Sequence, residues 1–230
     1  MVDQRVAVVT GGAGAIGSAI VTALRASGHV TVVLDRSGDV VCDLASSLAT
    51  QSAARQVLER YGRCDVLVHC AGYLDPMTLA DLDLERWRNL MAVNVEAALW
   101  LAQAFVPGMV ERGFGRIILI SSDGQWMPPN ETFLPYVVSK AALLGIVRTL
   151  AVSYGESGIA VTAVAPGHTD TPAARAVVAE GALDASIASQ AIKRALIPED
   201  TAHAVAFLAS EGAEALTGQV LVTDGGSHMR

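Results

Sequence analysis

Tyr136 and Lys140 are the side chains in this sequence best suited to move a proton. They fall in a stretch with helical character, and a spacing of four residues places both on one face of a helix. A phenol has a pKa of about 10 and is a poor base at neutral pH, but a neighbouring ammonium lowers that pKa. Because a general acid–base works best with a pKa near the operating pH, the pair predicts proton transfer at Tyr136.

A serine precedes this pair at the end of a predicted strand. Ser122 lies 14 residues before Tyr136 and directly follows the apolar run 116–121. Such a run is typical of a strand buried on both faces of a parallel sheet. Ligands of these sheets bind beyond the carboxyl ends of the strands, so we expect the Ser122 hydroxyl at the ligand-binding edge.

A glycine-rich string near the N-terminus predicts a phosphate-binding turn. Residues 10–17 read Thr-Gly-Gly-Ala-Gly-Ala-Ile-Gly, after one predicted strand and at the start of a predicted helix. Glycines allow a tight turn and let backbone N–H groups approach a pyrophosphate, and the helix N-terminus favours the anion. The expected dinucleotide contacts in this string are Gly11, Gly14, Ala15, Ile16 and Gly17.

Two aspartates at the ends of later strands could bind the adenosine half of a dinucleotide. Asp35 lies 18 residues after Gly17, where a carboxylate can accept hydrogen bonds from a ribose diol and repel a 2′-phosphate. Asp43 could accept a hydrogen bond from the adenine amino group. The alternatives are a solvated turn for Asp35 and a helix cap for Asp43. The glycine loop contains no basic residue, which favours NAD, while Arg36 leaves NADP open.

Alternating strands and helices must position these residues. The predicted strands are 5–10, 30–35, 39–42, 65–70, 116–121, 159–165 and 220–223, and the predicted helices are 15–27, 47–61, 84–112, 134–154 and 199–210. Such alternation implies right-handed crossovers between parallel strands. We therefore predict an α/β fold, a single domain over residues 1–230. Its core would be a Rossmann-type doubly wound parallel sheet of about seven strands, with helices on both faces.

The composition of the 230 residues argues against several classes of protein. Hydrophobic residues make up 52% and charged residues 17%, which argues against intrinsic disorder. Sixteen Lys and Arg against 23 Asp and Glu give a net charge of −7. An acidic chain of this kind is not expected to bind nucleic acid or an anionic membrane surface through bulk positive charge.

The cysteines, the histidines and the N-terminal region indicate which cellular compartment and which kinds of site to expect. Three cysteines without a CxxC motif predict no disulfide framework and fit a reducing cytoplasm. Five scattered histidines show no ligand spacing, so we expect no metal. Residues 1–4 do not form a basic segment followed by an apolar one, so we expect no signal peptide. Glycines interrupt the uncharged stretch 6–24, which therefore predicts a strand, a turn and a helix and no membrane span.

Taken in order along the chain, these motifs resemble the short-chain dehydrogenase/reductase family over about residues 5–226. The resemblance rests on the glycine loop at 10–17, Cys70-Ala71-Gly72, Val93-Asn94, Ser122, Tyr136 with Lys140, Pro166-Gly167, and the closing motifs between Pro198 and Gly226. Single motifs of this set are weak, but their combination and order are specific.

The resemblance implies an oxidoreductase that interconverts a secondary alcohol and a ketone, and Asp35 favours NAD(H) as its cofactor. A small cyclic or aromatic substrate would fit the apolar loop after Ser122, and a simple secondary alcohol is the alternative. The resemblance also implies Tyr136 as the acid–base, and Lys140 as the group that holds the nicotinamide ribose and lowers the pKa of the phenol. Ser122 would hydrogen-bond the substrate oxygen, and Asn94 would bind a water in a proton relay. The further cofactor contacts that it implies are Cys70, Ala71, Gly72, Pro166, Gly167, Thr169 and Thr171, with Thr171 at the nicotinamide carboxamide.

The sequence departs from the family pattern at four places, one of which is Thr162, where many relatives have asparagine. Ala15 stands where the pattern has a glycine, and we expect cofactor binding to survive the added methyl. His69-Cys70 replaces an Asn-Asn pair, and His69 is expected to be a structural hydrogen-bonding residue. The crossover between the second and third strands is cut to a turn at Ser37-Gly38, which should open the edge of the adenine pocket.

Two segments are expected to form the walls of a substrate pocket. The loop 123–135 offers apolar and aromatic surface from Trp126, Met127 and Phe133. Each of these side chains could instead pack under the loop or at a subunit contact. Residues 172–197 should form a lid that excludes water from the reaction, with an alanine-rich helix near its start. Asp123 and His168 flank the predicted site and could contact polar substituents.

Apolar residues on the two long helices predict association with further copies of the chain. The examples are Trp100, Leu101, Phe105, Leu143, Leu144, Ile146 and Val147. Exposed apolar patches commonly mark interfaces, so we expect a homotetramer, with a dimer as the alternative. Two other functions stay open. One is an NADP-dependent 3-oxoacyl reductase, and the other is a non-catalytic NAD-binding regulator.

Overall fold

Continuous β-branched runs form the strands of one parallel sheet in residues 4–229, the part of the chain that this computed structural model describes. The strands are β1 Val6–Thr10, β2 Val30–Asp35, β3 Val40–Val41, β4 Val66–His69, β5 Gly115–Ile120, β6 Ile159–Pro166 and β7 Val220–Thr223. Their order across the sheet is β3-β2-β1-β4-β5-β6-β7, and every neighbouring pair is parallel. This confirms the predicted doubly wound sheet.

Helices connect the strands, and some of them begin at a residue whose side chain caps the first turn. The helices are α1 Ala15–Ala26, α2 Ser47–Tyr61, α3 Leu84–Met91, α4 Ala97–Arg112, α5 Leu134–Tyr154, α6 Pro172–Arg175, α7 Ala182–Ser189 and α8 Pro198–Leu208. The Ser46 side chain accepts a hydrogen bond from the Ala49 amide at the start of α2. The Asp83 carboxylate accepts two from the first turn of α3. Pro198 opens α8 as predicted.

The helices cover both faces of the sheet. Side chains of α2, α4 and α5 pack against one face, and side chains of α1 and α8 pack against the other. Four of the seven side chains expected in an exposed association patch lie instead in the first of these cores; they are Leu101, Phe105, Leu143 and Val147. The prediction is wrong for these four because the long helices turn their most apolar sides toward the sheet.

Two helical stretches are long and apolar enough to cross a membrane by length and composition, Leu84–Arg112 and Leu134–Ser157. Both contribute buried side chains to the core beside the sheet. Core helices of folded domains pass the same test, so this composition is weak support for a membrane span. The uncharged stretch 6–24 forms β1, a turn and most of α1, as predicted.

The predicted helix 84–112 is interrupted by a π-helical turn at Ala92–Glu96. The prediction has the correct extent but the wrong internal geometry, because the backbone takes in one extra residue between α3 and α4. Asn94 lies in the middle of this turn and is fully buried. The connection from β2 to β3 contains no helix among its described residues, 36–39, which confirms the shortened crossover.

Charged residues fill the amino-terminal edge of the sheet. The fully buried Asp65 carboxylate accepts hydrogen bonds from the Arg63 Nε at 2.7 Å, the Arg112 Nε at 3.2 Å and the Val6 amide at 2.9 Å. The buried Arg116 guanidinium donates to the carbonyl of Ser210 at 3.2 Å. Each of these buried charges therefore has polar partners, as burial of a charge requires.

Candidate active site

The turn between β1 and α1 has backbone geometry that only glycine fits. Gly11 has a φ of +67°, and a Cβ there would lie 2.7 Å from the Ala71 Cα. A Cβ on Gly17 would lie 2.1 Å from the Gly11 carbonyl oxygen. Helix α1 begins at Ala15 with no side-chain cap, so its first turn is open to an anion. The turn thus fits the predicted pyrophosphate cradle, and Ala15 is accommodated as the first helical residue.

Asp35 lies beside this turn, as predicted. Its carboxylate accepts hydrogen bonds from the amides of Ala13 at 3.2 Å and Arg36 at 2.6 Å. Asp43 is exposed, and its carboxylate accepts from the Ala45 amide at 3.0 Å. The cap of α2 is Ser46, so the structure does not give Asp43 the alternative role of a helix cap. The contacts of both aspartates with a cofactor stay predictions.

The loop 70–72 packs against the glycine turn and reaches the predicted catalytic residues. The Thr10 hydroxyl accepts hydrogen bonds from the amides of Cys70 at 3.2 Å and Ala71 at 3.1 Å. A Cβ on Gly72 would lie 3.1 Å from the Lys140 Nζ and 3.3 Å from the Asn94 Oδ1. The absence of a side chain at Gly72 therefore lets this loop lie directly beside both groups.

Tyr136, Lys140 and Ser122 lie together at the carboxyl end of β5. The Lys140 Nζ lies 5.6 Å from the centre of the Tyr136 ring and donates to the Ile120 carbonyl at 2.8 Å. The Ser122 side chain lies close enough to the Tyr136 hydroxyl to act on the pKa of that group, and the Ser122 hydroxyl accepts a hydrogen bond from the Gly124 amide at 3.2 Å. The structure thus brings together the three residues that the sequence singled out for proton transfer.

Burial controls the titration of these groups in the protein alone. Burial raises the pKa of Tyr136, although the Ser122 side chain acts in the opposite direction and the charge of Asp123 adds to the rise. Burial also lowers the pKa of Lys140 to about 8. Lys140 is not among the groups that shift the pKa of Tyr136 in the protein by itself, and the expectation that the lysine lowers this pKa stays a prediction.

Asn94 is anchored by its side chain on both sides. Its Nδ2 donates to the Tyr73 carbonyl and to the Ser139 Oγ, each at 3.0 Å, and its Oδ1 accepts from the Tyr73 amide at 3.0 Å. The Ser139 hydroxyl in turn donates to the Tyr136 carbonyl at 2.7 Å. The sequence analysis missed Ser139 and Thr10. The available signal for Ser139 was a small polar residue beside Lys140, three positions after Tyr136.

The segment after β6 lies at the same edge of the sheet. Pro166 ends β6, and a Cβ on Gly167 would lie 2.9 Å from the Asp224 Cα. The Thr169 hydroxyl donates to the Gly167 carbonyl at 3.0 Å. The Thr171 hydroxyl accepts from the Ala174 amide at 3.1 Å and caps α6. The roles of these four predicted residues toward a cofactor stay predictions.

The predicted lid is less regular than expected. Its alanine-rich part is helical only over α6, and α7 follows after a break. A cavity of about 320 Å³ lies against this segment; its lining includes His168, Asp170, Arg175, Glu180, Gly181 and Leu183. The Asp170–Arg175 ion pair, with an Nε–Oδ1 distance of 2.6 Å, ties the start of the lid to the strand end.

Asp123 lies in a polar cluster that the sequence analysis did not predict. The His228 Nδ1 is 3.1 Å from the Asp224 Oδ2 and 3.7 Å from the Asp123 Oδ2. Ligand-type atoms of these three residues lie within 4.8 Å of one another. The expectation of no metal stays a prediction, and the hydrogen bonds within the cluster explain its compactness. Of the loop side chains, Phe133 packs edge-on against Tyr136, with ring centres 6.3 Å apart.

Comparisons with known proteins agree with this arrangement. A family model described as enoyl-(acyl carrier protein) reductase matches residues 11–228. Dehydrogenase/reductase SDR family member 4 from Bos taurus is 34% identical over 98% of this chain and 88% of its own length. The 3-oxoacyl-[acyl-carrier-protein] reductase MabA from Mycobacterium tuberculosis is 34% identical over 98% of this chain and 94% of its own. A Beutenbergia cavernae protein crystallised with NADP at low occupancy superposes with a TM-score of 0.90, at 32% identity over 97% of this chain and 96% of that one.

Proposed function

The chain belongs to the short-chain dehydrogenase/reductase family, and from this premise we propose that it is an NAD(H)-dependent oxidoreductase that interconverts a secondary alcohol and a ketone. Oxidoreductase activity on carbonyl or hydroxyl groups follows from the family. The choice of cofactor and the class of substrate are the proposed part. The observation that carries the proposal is the contact of Tyr136 with Ser122 at a sheet edge that also holds Lys140 and Gly72.

In the proposed reaction the side chains at this edge have different roles. The Tyr136 hydroxyl would exchange a proton with the substrate oxygen, which Ser122 would hold by a hydrogen bond. Lys140, buried beside Tyr136, would favour the phenolate by its charge and bind the nicotinamide ribose. Asn94 would order a water toward Lys140. The nicotinamide, when bound, would supply or accept the hydride.

The position of Asp35 favours NAD over NADP. Its carboxylate is held at the glycine turn by the Ala13 amide, where a 2′-phosphate would meet a negative charge. The competing function is an NADP-dependent 3-oxoacyl reductase. It is favoured by the names of two relatives, a 3-oxoacyl-[acyl-carrier-protein] reductase and an acetoacetyl-CoA reductase, and by the neighbour crystallised with NADP. Arg36, next in sequence, could attract a phosphate.

We also propose how the protein is organised around this activity. Residues 1–230 would form one domain in which residues 172–197 close over a small cyclic or aromatic substrate in the cytoplasm. A groove of about 750 Å³ between α4 and α5 would receive a second copy of the chain in a homotetramer, or in a dimer. The groove lining includes Leu99, Trp100, Val106, Pro107, Leu150 and Tyr154.

The proposal is tested by absorbance at 340 nm, with NAD⁺ and NADP⁺ offered in turn with secondary alcohols, cyclic diols and hydroxy acids. We expect turnover with NAD⁺ and at least one small alcohol. Preferred use of NADPH with 3-oxoacyl thioesters would instead establish the competing function. No turnover with either cofactor in either direction would contradict both.

The Asp35→Ala variant tests the basis of the cofactor choice. Removing the carboxylate should raise the kcat/KM ratio of NADP⁺ to NAD⁺ by about tenfold, the scale of one charge–charge contact at a partly exposed site. Asp43→Ala is the matched control, since loss of an adenine contact should weaken both cofactors equally and leave the ratio unchanged. An unaltered ratio in Asp35→Ala would show that Asp35 does not contact the ribose.

A further inference from the structure

His69 joins two parts of the candidate cofactor site through one hydroxyl group. Its ring is fully buried at the end of β4, and its Nδ1 lies 3.0 Å from the Thr10 Oγ1. The same Thr10 oxygen accepts hydrogen bonds from the amides of Cys70 and Ala71. Thr10 precedes the glycine turn and the two amides begin the loop that ends at Gly72, so His69 stands at the junction of these segments.

The hydrogen bonds of Thr10 determine the proton position on His69. A hydroxyl has one donor and two acceptor lone pairs. Since the two amides occupy both lone pairs of Thr10, its O–H must donate to the Nδ1 of His69. The Nδ1 is therefore an unprotonated acceptor, and the proton lies on Nε2. A protonated ring would place a third donor against the Thr10 oxygen and displace at least one of the two amides.

The other side of the ring faces the predicted catalytic residues. The Nε2 is buried, and no hydrogen bond of normal geometry joins it to residues 4–229, although backbone groups of Val93 and Asn94 lie nearby. Burial lowers the pKa of His69 to about 4, and the nearby charge of Lys140 adds to this lowering, while backbone groups of Asn94 and Val93 oppose it. The ring is thus neutral at neutral pH. It lies between Thr10 on one side and the surroundings of Lys140 and Asn94 on the other.

A buried polar atom such as the His69 Nε2 costs free energy when it has no hydrogen-bond partner. A neutral apolar side chain of similar size in place of His69 would avoid that cost. What an apolar side chain could not do is accept the proton of Thr10. Without that acceptor, the hydroxyl would turn toward another group and give up one of its two lone-pair contacts. The loop at 70–72 would then lose an anchor at the place where it packs on Gly11 and approaches Lys140.

We propose that His69 is a positioning residue: by accepting the Thr10 proton it fixes the hydroxyl that holds the loop 70–72 against the glycine turn, and so shapes the dinucleotide site. This inference rests on the proposed function for the identity of the ligand, but the hydrogen bonds stand independently of it. The family pattern has asparagine at this position, and an asparagine Oδ1, like the histidine Nδ1, is bonded to Cγ. Asparagine should therefore be able to replace this acceptor.

The test compares His69→Leu, which removes the acceptor, with His69→Asn, which restores one. The first readout is hydrogen exchange of the Cys70 and Ala71 amides, with amides of β6 as an internal reference for global stability. Loss of the acceptor should speed exchange at 70–71 about tenfold relative to the reference, the effect of one hydrogen bond, and asparagine should restore it to within about threefold. The second readout is NADH affinity by fluorescence, which should follow the same order.

Either of two results would overturn the inference. One is unchanged exchange at 70–71 in His69→Leu, and the other is His69→Asn as defective as His69→Leu, which would mean that the ring serves only to fill space. If His69→Leu does not fold, Thr10→Val against Thr10→Ser makes the same comparison from the other partner. If the wild-type protein bound neither NADH nor NADPH, the proposed function would fail, while the exchange rates would still decide the role of His69.

Discussion

Asp65 and Lys140 are both buried charged residues, and they lie at opposite edges of the same sheet. At the amino-terminal edge, two arginines and a backbone amide satisfy the Asp65 carboxylate. At the carboxyl edge, Lys140 donates to the Ile120 carbonyl, and residues 4–229 provide it with no carboxylate partner. A buried charge with full partners is tolerated, and removing one of its partners destabilises the fold, whereas a buried charge without such partners shifts its pKa and is a candidate for chemistry.

The same contrast extends to the neighbours of each charge. Around Lys140, burial raises the pKa of Tyr136 and of Cys70, the latter to about 11, and lowers that of His69 to about 4. Desolvation thus opposes ionisation across the carboxyl edge. A bound cofactor and substrate would change this environment. The pKa values of the groups at the carboxyl edge are therefore the ones that we expect to shift when a ligand binds.

Among the substitutions considered, Tyr136→Phe at the carboxyl edge should have the largest effect on turnover. Loss of the acid–base should reduce turnover by at least about a hundredfold, while folding and dinucleotide binding persist. The oxidation rate of the wild-type protein should rise between pH 6 and 10, because oxidation requires the phenolate, and the residual rate of the variant should not. Steady-state kinetics over this pH range measure both effects.

Tyr154→Phe is the matched control, since Tyr154 ends the same helix and lines the groove between α4 and α5. Its turnover should equal that of the wild type. Near-normal turnover in Tyr136→Phe, or a flat pH profile in the wild type, would contradict the assignment of Tyr136.

The next largest effect is expected at the opposite edge, in Asp65→Ala. Removing this carboxylate leaves Arg63 and Arg112 partly buried without it and should lower the free energy of unfolding by about 3 kcal/mol. The kcat should stay unchanged, because the residue lies at the other end of the sheet. Urea unfolding at fixed protein concentration, beside turnover assays, measures the two quantities. A parallel loss of kcat in the folded variant would mean that the edges are coupled.

Lys140→Met should have the opposite pair of effects. At pH 7 it should abolish turnover yet raise the free energy of unfolding by about 2 kcal/mol, because the wild-type protein buries an ammonium whose pKa falls from 10.5 to about 8. Between pH 8 and 10.5 the unfolded wild-type chain binds more protons than the folded one. Wild-type stability should therefore rise through this range, and the advantage of the variant should disappear.

Unfolding curves from pH 6.5 to 10.5 test whether wild-type stability rises with pH as predicted. Lys193→Met is the control, because Lys193 is exposed and its replacement should leave the pH dependence of stability as in the wild type. A destabilised Lys140→Met at pH 7 would indicate that the bond to the Ile120 carbonyl outweighs the loss of hydration.

The sheet and the Tyr136–Lys140 pair could be predicted because each depends on short-range pattern. Uninterrupted β-branched runs mark buried parallel strands, and a spacing of four fixes two side chains on one helix face. The predicted bounds of α2 and α5 match those of the structure. The glycine turn and Asp35 could be predicted equally well, because the strand before the turn and the helix after it fix where these residues must lie.

The remaining features depend on contacts between distant parts of the chain. His228 reaches Asp123 across more than a hundred residues, and no spacing rule encodes that contact. The direction of the Tyr136 pKa shift depends on how deeply the ring is buried, which the spacing to Lys140 does not reveal. The bond from His69 to Thr10 needs the register of β4 against β1, in which Thr10 faces His69 directly.

The π-helical turn at Ala92–Glu96 constrains insertions and deletions in this part of the chain. The wide turn takes in one extra residue while α3 and α4 keep the directions of their buried sides. Each residue of a regular helix advances the direction of the next side chain by about 100°, so a regular helix of the same length would turn α4 by about that angle relative to α3, and one of the two would lose its buried side. Deleting one residue would remove the wide turn that holds Asn94 against Tyr73 and Ser139. Homologous chains that keep this asparagine anchored should therefore conserve the length of the segment as well as its residues.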